Sequence, residues 1–247
     1  MKRFKLIIEY DGTPFSGWQR QENAQSIQEE IELAIAQFNK GILFPLYAAG
    51  RTDSGVHALG QVAHVDLPED KDTRTVLHAI NFYLKKLPIK ILSVEEVSMD
   101  FHARFSAKAR CYMYKIINRY VPLTLDLCRA LHVRSPLNIK DMQEAAKYLL
   151  GHHDFTTFRA SYCQATSPFR TVDRIDIIQK SLEHIDVVIH ARSFLHHQVR
   201  NMVGTLLLVG KGKWLPADVR HALEKRNRRY AGPTAPAGGL YFHSVTY

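Results

Sequence analysis

The sequence places one carboxylate in a short loop that has the composition of a reactive site. Asp53 lies in segment 49–58, between Gly50 and Gly55 and two residues after Arg51. Glycine permits backbone conformations that other residues disfavour, so the segment predicts a shaped loop between two strands. In extended chain, Arg51 and Asp53 share a face, and a nearby guanidinium keeps a carboxylate ionised. The alternative is an ordinary turn in which Asp53 caps its own backbone.

Two further residues combine polar chemistry with the pattern of a packed element. Tyr112 and Tyr114 alternate along a predicted strand and share one face of it. Such a tyrosine either packs in the core with its hydroxyl bonded or stacks on a nucleic acid base. Arg200 follows His196 by one helical turn on a stripe that otherwise faces inward. An arginine that enters a core helix usually has a carboxylate partner, and we predict Asp53 as that partner.

Several familiar chemistries are excluded by their missing motifs. The chain contains no G-x-S-x-G, H-E-x-x-H, phosphate-loop or dinucleotide-binding pattern. The histidine pairs 152–153 and 196–197 are adjacent in sequence, so on a helix their side chains point about 100° apart. Because no cluster has the spacing of metal ligands, we interpret the histidines as polar or nucleic-acid-facing side chains.

Composition indicates the kind of partner and the compartment. The 247 residues carry a formal net charge of +9 and give a pI of about 9.5. This charge favours a polyanionic partner, nucleic acid before membrane, because no basic amphipathic helix stands out. Three widely spaced cysteines without a C-x-x-C pair favour reduced thiols in the cytoplasm. We expect neither a transmembrane helix nor a signal peptide, because no long apolar run occurs and the N-terminus leads straight into a strand pattern.

Hydrophobic periodicity predicts an α+β fold with one element order used twice. The order β-α-β-β-α-β is typical of ferredoxin-like halves with antiparallel sheets. The first half, residues 1–99, has predicted strands at 4–10, 44–49, 61–67 and 89–97, a helix opened by a capping box at 26–29, and a helix at 73–85. The second half, residues 100–247, has predicted strands at 110–118, 171–178, 184–191 and 240–245, and helices at 138–150, 196–209 and 216–225. We expect a basic cleft between the halves, where sites often lie.

Many segments in the right order resemble one protein family along essentially the whole chain. They are 10–13, 17–21, 50–58, 101–107, 110–114, 154–160 and 194–204. The family is the TruA family of tRNA pseudouridine synthases. The resemblance implies a pseudouridine synthase fold and a cytoplasmic homodimer without cofactor or metal. It further implies isomerisation of uridine to pseudouridine at positions 38, 39 and 40, in the anticodon stem-loop of tRNA.

The resemblance also implies roles for individual residues. Asp53 would be the nucleophile, Arg200 its ion-pair partner, and Tyr112 the ring that stacks on uracil and helps to move a proton. Arg51 would enter the space near the flipped nucleotide. A basic surface would hold the tRNA, with contributions from Arg20, Lys108, Arg110 and Arg159.

Two other functions fit parts of the same sequence. A non-catalytic RNA-binding module would use exposed aromatics on ferredoxin-like sheets, and it would not require a charge at Asp53. A hydrolase with Asp53 as base and a histidine-bound metal would lose activity in chelator and release a cleaved product.

Overall fold

The computed structural model describes all 247 residues and contains ten strands and five helices. The strands are β1 (Lys2–Tyr10), β2 (Tyr47–Ala48), β3 (His57–Leu67), β4 (Ile89–Val97), β5 (Ala109–Asn118), β6 (Leu131–Val133), β7 (Gly151–Asp154), β8 (Phe169–Gln179), β9 (His184–Ala191) and β10 (Leu240–Thr246). The helices are α1 (Ile27–Phe38), α2 (Thr73–Tyr83), α3 (Ile139–Lys147), α4 (Gln198–Gly210) and α5 (Pro216–Glu224). The predicted α+β class is confirmed.

The chain forms two compact units that do not divide at the predicted position. The first unit comprises Met1–Lys108 and Tyr241–Tyr247, and the second comprises Ala109–Leu240. The sequence predicts a division between residues 99 and 100. Segment 100–108 belongs instead to the first unit, because Lys108 donates its backbone N–H to Thr246 (2.8 Å) and the Tyr247 hydroxyl donates to the Ala103 carbonyl (2.8 Å).

The first unit is built on an antiparallel sheet in the order β4, β1, β3, with β2 also paired to β3. Strand β1 alternates as predicted, and Phe4, Leu6 and Ile8 are fully buried. Helix α1 begins where the capping sequence predicts, because the Ser26 hydroxyl accepts the backbone N–H of Glu29 at 3.4 Å. The element order β-α-β-β-α-β is therefore confirmed in this unit.

Two strands of the first unit differ in length from the prediction. Strand β2 is reduced to Tyr47–Ala48, because Pro45 has no N–H and the N–H of Leu46 donates to the Glu32 carboxylate at 3.0 Å. Strand β3 begins at His57, four residues before the predicted Gln61. Its first residues pair in parallel with β10, Tyr241 opposite His57. Pairing with β10, from the end of the chain, thus extends β3 beyond the residues whose hydrophobic pattern predicts a strand.

The second unit has an antiparallel sheet in the order β5, β9, β8, β7, with β6 paired in parallel to β5. Helix α4 supplies much of its core, with Met202, Val203 and Leu206 fully buried. It begins at Gln198, not at the predicted residue 196, because His197 has a left-handed backbone (φ 61°) that is incompatible with a helix interior. Strands β6 and β7 escape prediction, since three or four residues are too short to show alternation.

The longest helix, α4, has 13 residues, and no helix of the structure has the length and hydropathy needed to cross a membrane.

Candidate active site

The Asp53 loop connects β2 to β3 in the first unit and is held by backbone hydrogen bonds. Ala49 donates its N–H to Val62 at 2.7 Å, which continues the strand pairing up to the loop. The Thr52 carbonyl accepts the N–H of Trp18 at 3.0 Å, and the Asp53 carbonyl accepts the N–H of Val56 at 3.2 Å. The second of these bonds closes a turn, so Asp53 occupies a defined position with a half-buried side chain.

Segment 11–24 packs its backbone directly against this loop. A Cβ atom on Gly12 would lie 1.9 Å from the Val56 carbonyl oxygen, and one on Gly17 would lie 2.7 Å from the Thr52 carbonyl oxygen. Gly17 also has a φ of 104°, which other residues rarely adopt. Phe15 and Trp18 anchor the segment from within the core, each 2% exposed. The two glycines therefore allow a backbone-to-backbone contact that shapes the Asp53 loop.

Three buried polar side chains form hydrogen bonds to the backbone or side chains of the loop and of segment 11–24. The Tyr10 hydroxyl lies 2.8 Å from the Thr52 hydroxyl, and Gln61 donates its amide N–H to the Gly50 carbonyl at 2.9 Å. The His57 ring accepts the N–H of Gly12 at 3.0 Å. Sequence reasoning assigns no role to these three residues. Polar residues at strand positions are a signal that could have identified them. Their hydrogen-bond partners cannot be read from the local sequence, however, because they are distant in the chain.

Tyr112, the predicted stacking residue, lies in the middle of β5 in the second unit. Its backbone is paired with Ile189 of β9, and its ring meets Phe194 edge-on at 5.2 Å and 89°. The side chain is 9% exposed. Phe194 therefore fixes the orientation of the Tyr112 ring.

Tyr114, on the same face of β5, is a core residue. It is fully buried, and its hydroxyl donates to the Pro236 carbonyl at 2.8 Å. Burial raises the pKa of Tyr114, while the positive charge of Arg200 lowers it. Of the two interpretations of a strand tyrosine, Tyr114 fits the first, since its hydroxyl is bonded deep in the core.

Arg200 lies in the first turn of α4. Its Nε donates to the Ala235 carbonyl at 2.8 Å, and its own carbonyl accepts the N–H of Ala235 at 3.1 Å. These two hydrogen bonds to one residue hold both the backbone and the side chain of Arg200. Asp53 belongs to the first unit and Arg200 to the second, and their pairing stays a prediction.

The basic residues predicted to contact tRNA have different surroundings. Arg51 and Lys108 are exposed, and Arg159 is half-buried. Arg20 forms an ion pair with the buried carboxylate of Glu32, with Nη2 and Oε2 2.7 Å apart. Arg110 donates to the carbonyl of Arg192. Arg20 and Arg110 therefore also have structural contacts within their own units.

The densest basic run of the sequence, residues 226–229, is partly structural. The Arg228 guanidinium donates to the Gly232 carbonyl (2.9 Å), the Thr234 hydroxyl (3.0 Å) and the Asn201 amide oxygen (3.1 Å). Burial lowers the pKa of Arg228. Arg226 lies 3.6 Å from the Asp154 carboxylate. These contacts hold segment 226–234 to the rest of the second unit.

Comparison with known proteins identifies the family. The family model described as tRNA pseudouridine synthase matches residues 6–106 and 145–247. A protein named tRNA pseudouridine synthase A from Paramagnetospirillum magneticum is 55% identical over the whole chain and 96% of its own length. Proteins of the same name from Rhodospirillum centenum and Ehrlichia ruminantium are each 52% identical, over 100% and 99% of both chains respectively. The chain therefore belongs to the tRNA pseudouridine synthase family, a family of isomerases.

Proposed function

We propose that this protein converts uridine to pseudouridine at positions 38, 39 and 40 of the tRNA anticodon stem-loop, with Asp53 as the nucleophile. Relatives of about half-identical sequence are named tRNA pseudouridine synthase A, which supports tRNA as the substrate. The observation that carries the proposal is that the family match spans the anchored loop of Asp53. The net charge of +9 suits a polyanionic substrate.

A carboxylate is suited to this isomerisation because it is a nucleophile when ionised and an adequate leaving group afterwards. Asp53 attacks the flipped nucleoside at C6 of uracil or at C1′ of the sugar, or assists departure of the base as an anion. The bond between N1 and C1′ breaks, and the base rotates. A bond between C5 and C1′ then forms, any covalent bond to Asp53 breaks with its electron pair returning to the carboxylate, C5 loses a proton and N1 gains one. Substrate and product are isomers, so the sequence of steps balances without an external reactant.

The other predicted residues prepare this step. Arg200 keeps Asp53 ionised at neutral pH, because a neighbouring cation favours the charged form of a carboxyl group. Tyr112 stacks on the uracil and assists transfer of the C5 proton, with its ring held by Phe194. Arg51 occupies the space near the flipped nucleotide.

Binding of the tRNA offsets the free energy of flipping the base, about a few kcal/mol. Arg20, Lys108, Arg110 and Arg159 contribute phosphate contacts in this proposal. The protein works as a homodimer, as the family resemblance implies.

The test uses purified protein and an unmodified tRNA transcript with uridines at positions 38 to 40, without added metal or nucleotide. Pseudouridine is detected by carbodiimide-dependent stops in primer extension. We expect stops at these positions with the wild type and none with Asp53→Asn, which should still bind tRNA. Asp173→Asn, the same change at an exposed aspartate of β8, is the control and should remain active.

The outcomes separate the competing functions. Appreciable turnover by Asp53→Asn would remove Asp53 from the mechanism. Tight tRNA binding without any stops in the wild type would favour the RNA-binding module. A cleaved tRNA and inhibition by chelator would favour the hydrolase.

A further inference from the structure

We propose that Tyr10 is a positioning residue for the Asp53 carboxylate, acting through Thr52, while Gln61 holds the start of the loop through the Gly50 carbonyl. This inference rests on the proposed role of Asp53 as nucleophile. All the residues involved belong to the first unit.

Tyr10 reaches the loop from the end of β1. Its side chain is 3% exposed, and its ring lies beside Trp18 with centroids 5.9 Å apart. The hydroxyl is 2.8 Å from Thr52 Oγ1. Burial raises the pKa of Tyr10, so the hydroxyl keeps its proton at neutral pH and serves as a fixed hydrogen-bonding group.

Gln61 holds the loop at its start. The residue is fully buried in β3, and its amide N–H donates to the Gly50 carbonyl at 2.9 Å. Its amide oxygen accepts the N–H of Val62 at 3.1 Å, which fixes the orientation of the amide group. Gln61 thereby links the rigid β3 strand to the loop three residues before Asp53.

Thr52 transmits these contacts to Asp53. Its side chain is held by Tyr10 and its carbonyl by the N–H of Trp18 at 3.0 Å. The Thr52 carbonyl belongs to the peptide plane that joins it to Asp53, so fixing it restricts the direction in which the Asp53 side chain leaves the backbone. A carboxylate held in its attack direction reacts faster than one that samples several directions.

A purely structural role makes a different prediction from a positioning role. Replacing both partners of a buried hydrogen bond with apolar groups of the same shape is nearly neutral for stability. The double variant Tyr10→Phe/Thr52→Val removes both hydroxyls with almost no change of shape. If the bond only stabilises the fold, this variant should be active. If it orients Asp53, the variant should be stable and slow.

The experiment measures single-turnover rates and tRNA affinity for Tyr10→Phe, Thr52→Val, the double variant and Thr52→Ser. We expect a rate about tenfold below wild type for each hydroxyl-deleting single variant, with unchanged tRNA affinity, because a small misplacement of a reactive group slows the step. The double variant should be no slower than the slower single variant, since each of the three variants loses the same hydrogen bond between Tyr10 and Thr52. Thr52→Ser retains the hydroxyl and should recover most of the rate.

Tyr247→Phe is the matched control. It also removes a tyrosine hydroxyl from the first unit, the one that donates to the Ala103 carbonyl at 2.8 Å, but this bond involves no residue of the Asp53 loop. It should keep the wild-type rate. Thermal unfolding of every variant identifies losses that follow from instability.

A wild-type rate in both Tyr10→Phe and Thr52→Val would overturn the inference, as would additive losses in the double variant. Asp53→Asn, measured in parallel, separates this outcome from failure of the proposed function. If Asp53→Asn is inactive while the Tyr10 and Thr52 variants are normal, only the positioning inference fails. If Asp53→Asn is active, the proposed function fails first.

Discussion

At the scale of single residues, the turn at Asp53 is compatible with the proposed role of this residue as nucleophile. The Asp53 carbonyl accepts the N–H of Val56, as an ordinary turn requires. The same turn is supported by the Tyr10 hydroxyl and the Gln61 amide, which are buried and polar. Burying such groups is unfavourable unless they are hydrogen-bonded. Because both groups find their partners on the loop, the turn is held by dedicated hydrogen bonds from the core.

The predicted pairing of Asp53 with Arg200 is testable through the pH dependence of the rate. Loss of a neighbouring positive charge raises the pKa of a carboxyl group, typically by about 1 unit or more. We expect Arg200→Gln to lower kcat and to move the acidic limb of its pH profile to higher pH by about 1 unit. Arg200→Lys keeps the charge and should move this limb less. An acidic limb that stays in place in Arg200→Gln would contradict the pairing.

His64, a buried residue of β3, should make stability depend on pH. Its Nδ1 accepts the N–H of Ala103 at 3.2 Å, and its ring packs against the rings of Tyr47 and His102. Burial, followed by the charge of Arg3, lowers the pKa of His64 from 6.5 to about 4. The folded protein keeps His64 neutral where the unfolded chain protonates it, so stability falls as the pH drops from about 6.5 to about 4.

We expect His64→Asn to flatten this dependence, because the amide oxygen can accept the same N–H but does not titrate. Unfolding in urea at several pH values between about 7 and about 5 gives the slope, which should change by up to about one proton taken up on unfolding. Only the slopes of unfolding free energy against pH are compared, since loss of the imidazole ring also changes the packing and therefore the stability at every pH. His78→Asn, at a histidine of α2 nearer the surface, is the control. An identical slope in wild type and His64→Asn would exclude His64 as the source.

At the scale of elements, the packing of segment 11–24 on the Asp53 loop depends on Gly17. An alanine there would adopt a φ of 104° and bring Cβ to 2.7 Å from the Thr52 carbonyl oxygen. Gly41 also has a positive φ, 81°, but a Cβ added there would have no other atom within 4 Å. We expect both Gly→Ala variants to lose about 1 kcal/mol or more of stability from the backbone.

Gly17→Ala should lose more stability than Gly41→Ala, and only Gly17→Ala should lose activity. Urea unfolding and the primer-extension assay measure the two effects. Equal activity of the two variants would mean that the contact between Gly17 and Thr52 does not shape the site.

The success of element prediction follows the length of each element. Strand β1, helix α1 and strand β9 have enough residues for periodicity to show, and their observed bounds lie close to the predicted ones. Strands β6 and β7 exist because longer neighbours pair with them. Strand β2 is shorter than predicted because the N–H of Leu46 donates to the Glu32 carboxylate. Such outcomes depend on partners that no local pattern contains.

At the scale of the whole molecule, the net charge of +9 predicts salt-dependent binding of tRNA. Each phosphate contact releases counterions, so affinity falls as salt rises. Two contacts already weaken binding about tenfold when salt increases about fourfold. We expect at least this decrease between about 50 and about 200 mM salt, measured by filter binding. Affinity that does not change with salt would argue against phosphate contacts by the basic residues.

The sequence by itself determined the α+β class, the long strands and helices, the net charge and the loop around Asp53. These properties are local, because alternation, capping residues and glycines act over a few positions. The recognisable family segments are also read directly from the chain. These segments were therefore sufficient to recognise the family, and the resemblance implies Asp53 as the nucleophile.

Only the tertiary structure decided which distant residues meet. It showed that the first residues of β3 pair with Tyr241 and Phe242 at the end of the chain, that Arg20 pairs with Glu32, and that Tyr10 bonds to Thr52. Tyr10 and Thr52 are 42 positions apart. The physical reason is that such contacts depend on how whole elements pack, since a buried polar group takes whichever partner the fold brings within hydrogen-bonding distance.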